Sequence, residues 1–171
     1  DYQFPSMLRG NVAYDRDLPF GIVGNVELLL TETVKDVNYS NLNLVQTGTR
    51  LDGRPVFAKI SSAYSDVIKL RNTDEGWSRQ ITGQLERRFR GGWFARGAYT
   101  YGRSKTVSDT TNSTARSTWA NVYTPGNIND PPLATSNYDL HHRVVLSGSY
   151  NFDFRKAAVT LSMYYNGQTG R

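Results

Sequence analysis

Asp139, His141, His142 and Arg143 form the densest run of side chains able to do chemistry, and Ser147 follows them closely. On paper Ser147, His141 and Asp139 supply a nucleophile, a base and an orienting acid. No nucleophile motif accompanies them, and Ser and Asp are common in this chain. As a metal site the run is also poor. Neighbouring strand residues point to opposite faces, so His141 and His142 do not converge on one ion, and nothing else completes a tetrahedral set. The chain has no cysteine, which removes disulfides and thiolate ligands. The expectation is no catalytic residue, no metal and no cofactor: these are polar residues at the outer end of a strand, and the protein is not an enzyme.

The elements that hold them are strands. From Gly76 to Arg103 the sequence alternates with period two on both sides of a tight Arg90, Gly91, Gly92 turn. Ile81, Gly83, Leu85 and Phe89 share one face, opposite Gln80, Thr82, Gln84, Glu86 and Arg88. Beyond the turn Ala95, Gly97, Tyr99 and Tyr101 oppose Arg96, Thr100, Gly102 and Ser104. Four further stretches behave alike: Met7 to Asp15, Ile22 to about Tyr39, Asp139 to Phe152, and Val159 to Tyr165. The third strand runs from Val67 to Phe89, bulged near Gly76. The fold expected is all-β, an antiparallel up-and-down meander of about six long strands.

Composition decides what such strands face. The chain has 171 residues, 38% of them hydrophobic and 12% aromatic, with a mean hydropathy of -0.54. Its longest apolar runs, such as Leu28 to Leu30, fall far short of the roughly 20 residues of a spanning helix. A barrel strand escapes that limit, because it needs only about 9 to 11 residues and every second one can be polar. The net charge of +5 is scattered, so the dense basic patch of a nucleic-acid binder is missing.

A soluble sheet also alternates, but strands of roughly 10 to 20 residues exceed its usual 5 to 6. Aromatics gather near strand ends, at Tyr14, Phe20, Trp77, Phe89, Trp93, Tyr101, Phe152, Phe154 and Tyr165, as in the girdles of outer-membrane barrels. Connections alternate short and long, with Asn41 to Ser65 and Thr106 to Asn137 as long polar loops. In bacterial barrels the long ones lie outside and the short ones in the periplasm. Arg79 and Arg87 fall on the apolar face, yet eight tilted residues separate them by roughly 20 Å in depth. That places both near the edges of an apolar band about 25 Å tall, where a charge costs only about 0 to 1 kcal/mol.

Two sets of residues are then candidates for function. Asn25, Glu27, Gln80, Gln84, Glu86, Arg88, Arg96 and Arg143, with Thr31, Thr82, Thr100, Ser147 and Ser149, form a polar row facing the lumen. Phe57, Tyr64, Trp119 and Tyr123 are aromatic handles in the long loops, where a ligand can stack. Lys69, Arg71, Arg103 and Lys105 near the outer ends suit lipopolysaccharide phosphates.

The segments LPFGIVGNVELLLTETVKDVNYSNLNL, DGRPVF, NTDEGWSRQITGQLERRF, GWFARGAYTYGRSK, DLHHRVVLSGSYNF and YYNGQTGR, in this order and spacing, carry a resemblance across nearly the whole chain. It resembles the barrel region of TonB-dependent outer-membrane receptors, the Oar-like kind found with carboxypeptidase-regulatory-like domains. The resemblance implies a 22-stranded barrel in the bacterial outer membrane, plugged by an N-terminal domain and importing a scarce siderophore, glycan or peptide-like ligand when TonB pulls on the plug. Residues 1–171 would then be an internal segment of that barrel domain, with plug, signal peptide and C-terminal strand outside it. The partners implied are outer-membrane lipid and lipopolysaccharide, the plug, the TonB complex and an imported ligand. Two alternatives stand beside it. A soluble β-sheet binding module or surface adhesin would turn Val26, Leu28, Leu85, Leu146 and Leu161 toward a protein core, and a barrel enzyme would depend on His141 or His142.

Overall fold

The structure, a computed structural model, describes residues 2–88, 91–122 and 124–169. Its strands are β1 (Ser6–Leu18), β2 (Ile22–Asn41), β3 (Leu44–Thr49), β4 (Pro55–Lys59), β5 (Ile68–Thr73), β6 (Gly76–Arg88), β7 (Trp93–Thr106), β8 (Ala134–Thr135), β9 (His142–Phe154) and β10 (Ala157–Gln168). One helix, α1, spans Ala115–Asn121. No helix among the described residues is long and apolar enough to cross a membrane, which says nothing of strands. In the main sheet β1, β2, β6, β7, β9 and β10 lie side by side in that order. This is the antiparallel meander expected.

The third expected strand is β5 followed by β6. Both pair with β2, so they are one strand interrupted at Asp74 and Glu75. Gly76 makes the interruption possible. Its φ is +143°, and a Cβ there would sit 2.6 Å from Thr33 Oγ1. Only glycine takes both the backbone and the close approach at low cost. The Phe89 and Arg90 end of the next turn lies outside the described residues, while Gly91 and Gly92 have φ near +90° and +88°. A Cβ on Gly92 would meet the Asn151 carbonyl oxygen at 2.8 Å.

Several boundaries shift. β1 continues to Leu18, and β9 starts at His142, not Asp139. Asp139 is diverted because its Oδ1 accepts the Ser104 N–H at 2.8 Å, which ends the ladder there. Both long loops carry structure that their polar composition hid. Asn41 to Ser65 contains the hairpin β3–β4, with a register shift at Gln46 and Gly48 that blurs its period. Asp52 and Gly53 do form its turn, and Arg54 donates to the Asp52 carboxylate at 2.8 Å from Nε. That bond, with the Arg54 backbone N–H, holds the Asp52 carboxyl below its usual range. Thr106 to Asn137 contains α1, capped where Thr114 Oγ1 accepts the Ser117 N–H at 3.2 Å.

The chain divides into two compact units. One comprises Asp1–Leu8, Glu32–Trp77 and Lys105–Ser136; the other comprises Arg9–Thr31, Ser78–Ser104 and Asn137–Arg171. Among the described residues the buried apolar side chains are Val37, Val107 and Trp119, all in the first unit. Among its described residues the second unit is a sheet without a buried apolar core. Val26, Leu28, Leu85, Leu146 and Leu161 are 50%, 39%, 55%, 48% and 67% exposed. A soluble module would bury this set against a second layer, so the soluble alternative loses its required core.

Candidate functional site

In the second unit the polar row is assembled by cross-strand hydrogen bonds. Asn25 Nδ2 donates to Asp15 Oδ1 at 2.8 Å, and Asn11 Nδ2 to Glu27 Oε1 at 2.6 Å. Thr82 and Thr100 hydroxyls lie 2.9 Å apart, and Arg96 donates to Gln84 Oε1 at 2.6 Å. Arg143 Nε donates to Asn166 Oδ1 at 3.0 Å. The β7–β9 register sets Arg96 opposite Ser147 and Thr100 opposite Arg143. The β9–β10 register adds Thr160, Ser162, Tyr164 and Asn166 to the same face, facing Asn151, Ser149, Ser147 and Val145.

Period two makes this unavoidable: once Asn25 and Asp15 share a face, Val26 and Tyr14 take the other. Gln80 and Glu86 share the parity of Gln84. The Arg88 side chain and Tyr123 lie outside the described residues. Phe94, Leu29 and Val145 interrupt the polar row without changing its character.

The first unit contains a site that composition did not announce. Asn41 is 1% exposed and sits at the base of the loop that bears β3 and β4. Its Oδ1 accepts the backbone N–H of Asn43 and of Val67, each at 3.0 Å, and its Nδ2 donates to Asp66 Oδ1 at 2.7 Å. Its own N–H donates to Asn129 Oδ1 at 2.7 Å, and Asn129 Nδ2 returns to the Asn41 carbonyl at 2.9 Å. Two loops distant in sequence are thereby joined. Arg116 Nε, on α1, donates to Asp66 Oδ2 at 2.6 Å. This bond from Arg116, assisted by Asn41, holds the Asp66 carboxyl below its usual range against a smaller opposing effect of burial.

Asn43 repeats the device two residues on. Its Nδ2 donates to the carbonyls of Ser61 and Tyr64 at 3.0 and 2.8 Å, and its Oδ1 accepts the Ser61 N–H at 2.9 Å. Asparagines spaced two apart at the end of a strand were the available signal, since their side chains mimic backbone partners.

The aromatic handles fare differently. Trp119 is 9% exposed, with its indole N–H on Asn129 Oδ1 at 3.1 Å, so it belongs to the interior of the loop unit and offers no open face for stacking. Tyr64 is 63% exposed, and Phe57 is half-buried on β4. Of the basic residues, Arg71 donates to the Asn129 carbonyl at 3.3 Å and Arg103 Nε to the Tyr101 hydroxyl at 3.2 Å. Lys69 and Lys105 lie on β5 and β7.

The two histidines meet different partners. His141 Nε2 lies 2.9 Å from Asp139 Oδ2 and also meets the Arg103 guanidinium, whereas His142 Nδ1 lies 2.7 Å from the Tyr99 hydroxyl. Among the described residues no three His, Asp or Glu side chains are placed to share a metal ion.

A sheet with one face laced by polar side chains, the other apolar and bare, and long structured connections defines the wall of a membrane-spanning β-protein. The chain belongs to the outer membrane beta barrel domain family, whose model matches residues 1–169, and its place is the bacterial outer membrane. No curated protein and no solved structure matches it.

Proposed function

We propose that the chain is wall and outer-loop structure of an energised importer of the TonB-dependent, Oar-like type, taking up a scarce siderophore, glycan or peptide-like solute. The observation that carries this reading is the folded pair of long connections, clamped to each other through Asn41 and Asn129. Loops that only had to close a wall could be short; loops ordered by a buried polar node hold side chains in fixed positions for recognition. Tyr64 and Phe57 are then the aromatic contacts.

Long connections face outward and the short turns at Pro19–Gly21 and Arg155–Lys156 face the periplasm, following the usual arrangement of bacterial barrels. The polar row lines the interior, where a plug domain of the same receptor would hydrogen-bond to Gln80, Gln84, Arg96 and Arg143. We assign Asp139 to the strand end and not to covalent chemistry, because its Oδ1 accepts the Ser104 N–H at 2.8 Å. Lipopolysaccharide phosphates are proposed partners of Lys69, Arg71, Arg103 and Lys105.

The experiment uses the full-length receptor in its own bacterium, offered candidate solutes as sole source. Removing residues 44–59 should abolish uptake while the barrel still assembles and shifts on unheated gels. Deleting TonB should abolish it too. Uptake that survives the loss of TonB would sink the proposal.

A further inference from the structure

The bare face of the second unit is not flat. A trough of about 590 Å³ crosses it, within the roughly 300 to 1,000 Å³ typical of sites for small ligands. Its floor is glycine, at Gly24, Gly83 and Gly97, and its walls are Leu18, Leu85 and Leu146. At Gly83 a Cβ would find nothing within 4 Å, so this recess is open because the residue has no side chain.

Arg16 lines the same trough, and among the described residues it is the only charged one that does. Parity explains its place: Asp15 turns to Asn25 on the polar face, which sends Arg16 to the apolar one beside Tyr14 and Leu18. It is exposed and makes no hydrogen bond or ion pair among the described residues. It stands two residues before the end of β1, next to the Pro19–Gly21 turn. A guanidinium on an apolar face beside that turn calls for an anion, with phosphate as the bidentate match.

We propose that this trough is a phospholipid site, in which one acyl chain lies over Gly83 and Gly97 and the headgroup phosphate pairs with the Arg16 guanidinium. It rests on the orientation proposed above, which puts the Pro19–Gly21 turn in the periplasm and so makes the occupant a phospholipid of the inner leaflet. Charge selects lipid over a second copy of the chain. No carboxylate among the described residues lines the trough, so two copies meeting there would bring two arginines and no counter-ion, whereas a phospholipid brings hydrocarbon and phosphate together.

The test is native mass spectrometry of the full-length protein released from bilayers of phosphatidylglycerol. Wild type should retain phosphatidylglycerol. R16Q should lower that occupancy about fivefold, the factor one arginine near an anionic surface supplies, and G83L, which fills the recess without backbone strain, should lower it as well. Both variants are checked for folding by their shift on unheated gels, and R16Q alone decides should G83L misfold. Unchanged occupancy in R16Q overturns the proposal, as does a wild-type dimer that G83L dissociates. Orientation is read separately with F20C and a membrane-impermeant maleimide. Labelling only after permeabilisation supports the inner leaflet; labelling of intact cells overturns the leaflet assignment, whatever the lipid retention.

Discussion

Replacing Asn41 with alanine tests whether the loop unit is organised as described. The change strands two backbone donors, the N–H groups of Asn43 and Val67, each now 3.0 Å from Asn41 Oδ1. An unsatisfied buried donor costs about 1 to 3 kcal/mol, and the lost bond to the charged Asp66 adds a contribution of similar order. Asn43 is 5% exposed, so its stranded N–H bears the larger penalty, while Val67, about 39% exposed, recovers part of its loss from water. The sum is about 3 kcal/mol, or roughly two orders of magnitude in a local opening equilibrium. Amide hydrogen exchange reads this directly: the Asn43 and Val67 amides should exchange roughly a hundredfold faster in N41A. N41D provides the internal control. It keeps acceptors for both amides but sets a carboxylate against Asp66, so exchange should rise less at Asn43 and Val67 than in N41A. Protection in N41A within about threefold of wild type would refute the node as the organiser of these loops.

Three other outcomes follow from the same geometry. Gly76→Ala should destabilise by about 1 to 3 kcal/mol from its backbone conformation alone, and adding Thr33→Ala should recover only the steric share, as measured by urea unfolding in lipid; G76A within about 0.5 kcal/mol of wild type contradicts this. Val26→Arg, on the bare face, should cost about 2 to 4 kcal/mol near the bilayer midplane, against about 0.5 to 1.5 for Asn25→Ala on the polar face, and equal costs would refute the assignment of faces. Asp66 has a lowered folded pKa, so its contribution is complete above the unfolded carboxylate value of about 3.9 and is lost as pH falls through the lower folded value. Limited proteolysis of residues 44–66 should therefore rise only in strongly acidic buffer; Asp66→Asn should weaken that dependence, and Asp52→Asn added to it should remove it, because Asp52 is lowered as well.

The sequence by itself determined the strands and their faces. Period-two alternation is a covalent fact of extended backbone, so Gln84 and Leu85 had to part, and loop parity joined Val67 to Phe89 across Asp74 before any pairing was known. It also determined that no helix would span the membrane. What it could not determine was anything made by residues far apart in the chain. Asn41 and Asn129 look like two loop asparagines until folding sets them within hydrogen-bond reach, and Trp119 reads as an open ring until Asn129 accepts its N–H. The hairpin β3–β4 escaped because a shifted register at Gly48 hides its period. Arg16 reads as one more scattered charge until the tertiary structure sets it at the mouth of a trough whose floor comes from three different strands. Local pattern fixes which way a side chain points; only the pairing of distant strands fixes what it then meets.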